Sequence, residues 1–322
     1  MARYVKISTI GYPSIQADDS LSFQEVKDYI EGFITEQINQ VLPDKPDLIL
    51  LTEMCDVPQN YTPEKRMEYL KFRGDSYLDY YGKIAKDNNC YIAFCTYRFG
   101  AGDFLLNSLI IMDRNGGVAG HYNKNHIVMP GERDQNVLGG NEANLIELDI
   151  GKVACAICFD LNFDRIRMHY KELRPEIILF SSMYHGGLKQ QFWAQSCQSY
   201  FVGSISHSRP SAIISPIGEI LAGTTNYFNF VTHTINLDYE LTHYDRHTEK
   251  LPALKAKYGP AVTVFDPGNI GYFMVTSDHP EISVKEMFKE FGILSYHDYM
   301  NEVIASQDKP ENRLQEPDVI GY

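Results

Sequence analysis

No run of about 18 apolar residues occurs anywhere in the 322-residue chain, and a membrane-spanning helix needs one. The start, MARYVKISTIGYP, lacks the apolar core and cleavage site of a secretory signal and enters a strand-like stretch at once. The expectation is a cytoplasmic protein, in which the acceptor-like Asn60-Tyr61-Thr62 has no glycosylation to receive. Basic charge is also scarce: 29 Lys and Arg stand against 42 Asp and Glu, a formal net charge of −13. That balance argues against nucleic acid, whose binders present basic patches to phosphates. It reads instead as a solvated acidic surface. Low-complexity tracts, long like-charge runs and internal repeats are missing, so neither a disordered tail nor a solenoid is indicated.

Several catalytic signatures are missing too. There is no Walker loop, no His-Glu-x-x-His and no Gly-x-Ser-x-Gly. Gly100-Ala-Gly102 starts like a dinucleotide loop but has Leu105 where the third glycine belongs. His185-Gly186-Gly187 is like an esterase oxyanion loop without its serine elbow. The six cysteines (Cys55, Cys90, Cys95, Cys155, Cys158, Cys197) are expected to be free thiols in a reducing compartment.

What is present is an alternation of apolar strand-like runs with amphipathic helical stretches. Tyr4–Ile10 alternates like a strand, and Phe23–Val41 places apolar residues at helical spacing until Pro43 closes it. Asp47–Thr52 (DLILLT) is a short continuous apolar run, the mark of a strand buried on both faces. Thr62–Asn89 reads as helix, split at Gly74. Cys90–Tyr97 and Leu105–Met112 are β-rich, and Asp113–Gly117 (DRNGG) is a hairpin-type turn. A polar, irregular stretch then runs to Gly139-Gly140. Leu145–Leu148 and Lys152–Ile157 flank a second hairpin signal. Asp164–Leu173 reads as helix, Ile177–Phe180 as a buried strand and Leu188–Tyr200 as helix. Ser211–Ile214, Ile220–Ala222 and Phe230–Leu237 are expected strands. A main domain over 1–257 is expected, followed at 258–322 by a less regular extension with short helices near Val284–Phe291 and His297–Ile304. Frequent hairpins point to mixed sheets layered with helices rather than to a purely parallel sheet.

Candidate chemistry sits where strands end. Glu53 follows DLILLT directly, at the carboxyl end of a strand where open α/β sheets gather ligand sites. Lys124 and Glu132 share a polar loop, and the Pro130-Gly131 turn can fold Glu132 back toward Lys124. His121 and His126 are five positions apart, which suits no regular helix face, and both are assigned structural roles. Cys155 and Cys158 make a Cys-x-x-Cys, but residues three apart in a strand point to opposite faces, and no second pair completes a zinc site. Cys155 is therefore expected in the core, and Cys158 at the strand's end.

The order Glu, Lys, Cys, each at or beyond a strand end, resembles the nitrilase (carbon–nitrogen hydrolase) superfamily. The carrying motifs are LILLTE, GHYNKNHI and CFD, with Glu132 where many members hold a second glutamate and Ser215-Pro216-Ile217-Gly218-Glu219-Ile220 like the family's late turn. The sequence departs from the family at Asn162-Phe163-Asp164-Arg165, where an Arg-Phe-Pro-Glu-like stretch is usual, and again at Gln195–Tyr200.

The resemblance implies an α/β fold, a four-layer α-β-β-α sandwich with two mixed sheets, and needs no cofactor or metal. It implies a Glu53-Lys124-Cys158 triad that opens a small amide or N-carbamoyl compound through a thioester, with water as second substrate. Glu132 would orient the cluster, and the Phe159 backbone N–H would join Lys124 at the oxyanion. Tyr184 and His185, in the loop Ser181–Gly187 beside the cysteine's strand, are expected to line the substrate pocket. Phe159-Asp160 resembles the amidase and N-carbamoylase side more than the nitrile-cleaving one. Nitrile hydrolysis, acyl transfer to an amine on the same scaffold, and a non-catalytic thiol sensor are the alternatives. Apolar residues in the helices at Asp164–Leu173 and Leu188–Tyr200 exceed what one stripe can bury, so a homodimer or larger assembly is expected.

Overall fold

Ser22 begins the first helix with a reciprocal cap: its hydroxyl accepts from the Glu25 N–H, and the Glu25 carboxylate accepts from the Ser22 N–H. Val26, Ile30, Ile34 and Ile38 then recur at four-residue spacing and are all buried. The computed structural model describes residues 1–206, 210–245 and 247–313.

The first compact unit is Val5–Ile235. Its elements in chain order are β1 (Tyr4–Ile10), α1 (Phe23–Asn39), β2 (Leu48–Leu50), α2 (Pro63–Arg73), α3 (Ser76–Asn88), β3 (Tyr91–Phe99), β4 (Leu105–Met112), β5 (Val118–Asn123), the short α4 (Gly131–Asp134), β6 (Val137–Leu138), β7 (Ile146–Leu148), β8 (Gly151–Ile157), α5 (Asp164–Leu173), β9 (Ile177–Ser182), α6 (Lys189–Cys197), β10 (Tyr200–Ile205), β11 (Ala212–Ile214), β12 (Ile220–Gly223) and β13 (Phe230–Asn236).

One sheet runs β13-β1-β2-β3-β4-β5, with β6 paired to β4; β1, β2 and β3 are parallel, and β3, β4 and β5 antiparallel. The second runs β12-β11-β10-β9-β8-β7, parallel through β8, β9 and β10. The sheets are stitched face to face by hydroxyls. Ser181 Oγ donates to the Leu51 carbonyl (2.7 Å), Ser204 Oγ to that of Ile10 (2.6 Å) and Thr9 Oγ1 to that of Gly203 (2.9 Å). Helix α1 and helix α3, with Tyr77, Tyr81 and Ala85, pack with Ile49, Ile92, Phe94 and Ile110 of the first sheet in one core cluster. Helices α5 and α6 cover the second sheet, where the Tyr170 hydroxyl donates to the Cys155 carbonyl (2.6 Å). The result is the expected four-layer α-β-β-α sandwich with mixed sheets.

The second unit is made of Met1–Tyr4 and the chain from Asn236 onward. It contains β14 (Tyr239–His243), α7 (Lys250–Tyr258), β15 (Val262–Phe265), β16 (Tyr272–Ser277), α8 (Val284–Phe291) and α9 (Tyr296–Gln307). The strands form an antiparallel sheet, β14-β16-β15, and Leu254, Val262, Val275, Val284 and Met287 are buried in its own core. Two expectations are corrected here. The contacts divide the chain between Ile235 and Asn236 rather than at 257/258, and the extension is more regular than expected: besides the expected short helices, at Val284–Phe291 and Tyr296–Gln307, it holds an antiparallel sheet. A third concerns Leu188–Tyr200: the helix stops at Cys197 because Gln198 takes a left-handed conformation (φ 54°), and Tyr200 begins a buried strand.

Candidate active site

Strand β2 is buried on both faces, and the chain leaving it stays registered on β3: the Leu51 N–H donates to the Ala93 carbonyl (2.9 Å) and that of Cys55 to the Cys95 carbonyl (3.0 Å). Between these two anchors Met54 adopts a left-handed φ of 51°. This turn leaves Glu53 buried, only 3% exposed, at the carboxyl end of the strand.

Lys124 comes from the end of β5, where its N–H donates to the Asn107 carbonyl of β4 (2.8 Å). Its ammonium is equally buried and lies 3.2 Å from Glu53 Oε1 and 3.0 and 2.9 Å from the two oxygens of Glu132. Glu132 is carried back by α4, and its Oε2 accepts from the Val128 N–H (2.7 Å). Asn107 closes the cluster: its Nδ2 donates to Glu53 Oε1 (3.0 Å) and Glu132 Oε1 (3.1 Å), while its Oδ1 accepts from Cys95 Sγ (3.1 Å). Burial alone would favour the neutral amine of Lys124. Glu53, Cys158 and Glu132 outweigh it, so the pKa is raised and the lysine stays charged.

Cys158 stands where β8 ends. Cys155 is buried in the strand, whereas Cys158 opens a short 3₁₀ turn and takes a left-handed φ of 47°, a conformation costly for any residue but glycine. Asp160, fully buried, holds this turn against the lysine loop. Its Oδ2 accepts from the Ile157 N–H (3.2 Å) and the Tyr122 hydroxyl (2.8 Å), and its Oδ1 faces the His126 N–H (2.8 Å) and ring Nδ1 (3.0 Å). His126 in turn stacks on Phe163 at 3.7 Å. One carboxylate thus ties β8, β5 and the lysine loop together.

The thiol of Cys158 is pushed up to about 12, first by burial and then by Glu53, with Lys124, the Ser182 hydroxyl and the Met183 N–H pulling the other way. The Met183 N–H also donates to Glu53 Oε2 (2.9 Å), so one backbone group serves both the carboxylate and the sulfur. Glu53, Lys124, Glu132 and Cys158 therefore converge. Burial first, and the Glu53 carboxyl second, favour the neutral thiol of Cys158 over its thiolate.

Phe159 follows Cys158 in the 3₁₀ turn. Tyr184 lies beside the cysteine: burial and then Cys158 raise its phenol to about 12. His185 lies elsewhere, lining a cavity of about 360 Å³ with Gln190, Ala212, Ile214 and Ile220, and none of the four converging residues borders that space. Reading the sequence missed Asn107 and Asp160 as members of the site. A polar residue inside the apolar run LLNSLIIM was the available signal for Asn107; Asp160 stood in the quoted CFD without a role. Among the described residues no cluster of three or more His, Cys, Asp or Glu side chains is arranged to hold a metal, and no helix is long and apolar enough to cross a membrane.

This convergence coincides with a match to known proteins. The family model for carbon–nitrogen hydrolases matches residues 6–240. The deaminated glutathione amidase of Dictyostelium discoideum is 23% identical over 266 residues, 73% of this chain and 89% of that protein. Among solved structures, the NitFhit protein of C. elegans superposes with a TM-score of 0.63 at 14% identity, covering 91% of this chain and 98% of its own. A carbon–nitrogen hydrolase of Helicobacter pylori gives 0.61 at 13% identity, covering 73% and 90%. The chain belongs to the carbon–nitrogen hydrolase family, within the nitrilase superfamily, as an amidase-like hydrolase.

Proposed function

We propose that the protein hydrolyses a small amide or N-carbamoyl compound through a thioester on Cys158. The carrying observation is the buried Glu53–Lys124–Glu132 cluster gathered around a cysteine at a strand end. As Cys158 Sγ bonds to the carbonyl carbon, its proton passes to Glu53, which supplies a base to a thiol too weakly acidic to ionise alone. Lys124 and the Phe159 N–H stabilise the oxyanion. The carbon–nitrogen bond then breaks, and Glu53 returns the proton to the leaving amine or ammonia. Water, deprotonated by Glu53, attacks the thioester and releases the acid and the thiol. Glu132, with two bonds to Lys124, keeps the ammonium in place. The name of the Dictyostelium relative, an amidase, supports an amide over a nitrile.

The test is turnover of a panel of simple amides, N-carbamoyl compounds and nitriles with acid trapping. A mass increase on Cys158 equal to the acyl group, lost in Cys158→Ala and kept in Cys155→Ala, is expected. Turnover by Cys158→Ala overturns the assignment, and turnover of nitriles alone reverses the choice of substrate.

We also infer a homodimer through α5 and α6. Ile166, Tyr170 and Trp193 face the core, but Met168 (43%), Leu188 (81%) and Phe192 (50%) are exposed on neighbouring helices. Arg167 lies over the Phe192 ring at 4.6 Å and joins the two surfaces. Light scattering should give twice the chain mass, and Phe192→Glu should lower it to one.

A further inference from the structure

Successive strand residues face opposite sides of a sheet. Asn107 and Lys124 reach the active site from the inner face of β4 and β5. On the outer face of the same strands lies a second cavity, of about 640 Å³, within the range of small-molecule sites. Its floor is Arg98, Ile110 and His121, in the register that pairs Arg98 with Leu106 and Ile110 with His121. Tyr77 and Leu78 of α3 wall it from above, and the exposed side chains of Phe99 and Val118 flank it.

Arg98 is held by fewer partners than the other largely buried arginines of this unit: Arg66, which also lacks a carboxylate among the described residues, donates to Gln135 Oε1 and to the Tyr61 carbonyl (3.4 Å). Arg73, Arg114 and Arg167 each have a carboxylate within 4 Å: Asp56, Asp47 with Asp149, and Asp164. Arg98 makes no ion pair among the described residues. Its Nε is buried without a hydrogen-bond partner, as are those of Arg66, Arg73 and Arg114, and its single hydrogen bond among the described residues, to Asn123 Oδ1, is long at 3.5 Å. Asn123 Oδ1 is already engaged by Ser108 Oγ at 2.7 Å. A guanidinium half out of water without a counter-charge is costly, and its planar fork fits a carboxylate bidentately. His121 adds a neutral imidazole, since burial and then the Arg98 charge lower its pKa while Glu142 raises it. The carboxylates at the cavity are accounted for: Asp103 pairs with Lys71 at 3.4 Å, and Asp75 is exposed at the start of α3.

We propose that this cavity is a binding site for a small-molecule carboxylate with an apolar body, its acid group on Arg98 and its body between Tyr77, Leu78 and Val118. The site is distinct from the cluster around Cys158 and does not depend on the reaction assigned there.

The experiment is calorimetric titration of the full chain with benzoate, and with benzyl alcohol as its neutral counterpart. It is repeated after Cys158 has been alkylated with N-ethylmaleimide, so that binding at the active site is separated from binding here. Saturable benzoate binding that survives alkylation is expected, with benzyl alcohol at least tenfold weaker. Arg98→Met should weaken benzoate at least tenfold. Val118→Trp, which fills the cavity and leaves Arg98 in place, should do the same and covers the case in which Arg98→Met fails to fold. Absence of saturable binding, its loss on alkylation, equal affinity for the alcohol, or unchanged binding in Val118→Trp each overturns the proposal.

Discussion

Glu53 and Asp56 are buried carboxylates on one turn after β2, each facing a buried cation, yet their surroundings are opposites. Glu53 Oε1 accepts from Lys124 and Asn107, and its Oε2 accepts from the Met183 N–H. Asp56 sits 3.3 Å from Arg73, but neither of its oxygens accepts a hydrogen bond from a described residue, and the Arg73 Nε is bare as well. The pair borders a space of about 20 Å³ lined by Tyr69, Tyr77 and Tyr81, about enough for one water. Charge burial is costly in both places. At Glu53 each charge is bonded from several directions, which fixes the geometry a proton transfer needs; at Asp56 the carboxylate carries charge into the core with no hydrogen bond from a described residue to fix it. Close packing of ions thus marks an active site less well than complete hydrogen bonding does.

The largest separation between the two should come from removing each cation. Lys124→Met takes away the oxyanion donor and leaves Glu53 and Glu132 facing one another. Turnover should fall at least about 1,000-fold, the upper range for losing such a donor, and stability by about 3–5 kcal/mol. Arg73→Met should cost about as much stability, because Asp56 loses its one ion-pair partner among the described residues, while kcat stays within tenfold. Denaturant titration and amide turnover on both variants check this. An equal loss of turnover in the two would abolish the distinction.

Asn107 tests whether complete bonding matters beyond charge. Asn107→Leu removes the one neutral group that bridges both carboxylates, and kcat should fall about 10- to 100-fold with KM little changed, as for outer-shell partners. Asn107→Asp adds a third negative charge, which disfavours ionisation of the other two. The acid limb of the kcat/KM profile should therefore move to higher pH, which a loss of packing alone would not produce.

How far this site was legible without coordinates depends on the kind of residue. Glu53, Lys124 and Cys158 each end or follow an apolar run, so strand pattern and family resemblance located them together. Asn107 sits inside such a run, and its role exists only because β4 and β5 pair with Ser108 opposite Asn123, which brings Lys124 alongside. Asp160 acts through partners in the lysine loop that are more than thirty residues away in the chain. In the fold, Gly74 and Pro43 marked their helix ends correctly, whereas Gln198 ends α6 in a left-handed conformation that its residue type does not announce. The expected helix therefore ran on to Tyr200, and the buried strand Tyr200–Ile205 was not expected. In the second unit, strands of only four to six residues such as Val262–Phe265 and Tyr272–Ser277 are too short for periodicity to separate from loop.

Cys158 offers a smaller effect with a clear sign. Its thiol is raised to about 12, so the thiolate fraction in the free protein should climb about tenfold per pH unit with no plateau up to pH 9. Alkylation by iodoacetamide should follow that line, with Cys158 modified before the five cysteines that are buried. The same shift has a stability consequence. A folded-state pKa above the unfolded value of 9.0 contributes stability that is intact below pH 9 and is lost as the pH rises toward 12. An alkylation plateau near pH 7 would show a thiolate already formed at rest and would remove Glu53 from the first proton transfer.

The smallest expected effect comes from the other half of the loosely bonded pair. Asp56→Asn removes the anion and leaves Arg73 buried, which for a lone cation would be severe. Arg73, however, keeps partners that Asp56 lacks: it donates to the Tyr97 carbonyl (2.9 Å), to Thr96 Oγ1 (3.3 Å) and to the Gly74 carbonyl (3.4 Å), and it lies over the Tyr77 ring at 4.1 Å. Asp56→Asn should therefore cost no more than about 1–2 kcal/mol, near the low end for removing a buried hydrogen-bonding group, and leave turnover within twofold. The pair is then asymmetric, with Arg73→Met more damaging than Asp56→Asn. Urea midpoints of the two single variants decide the point: equal losses would mean that Arg73 is held by Asp56 after all, and that the two carboxylates on this turn are bonded alike.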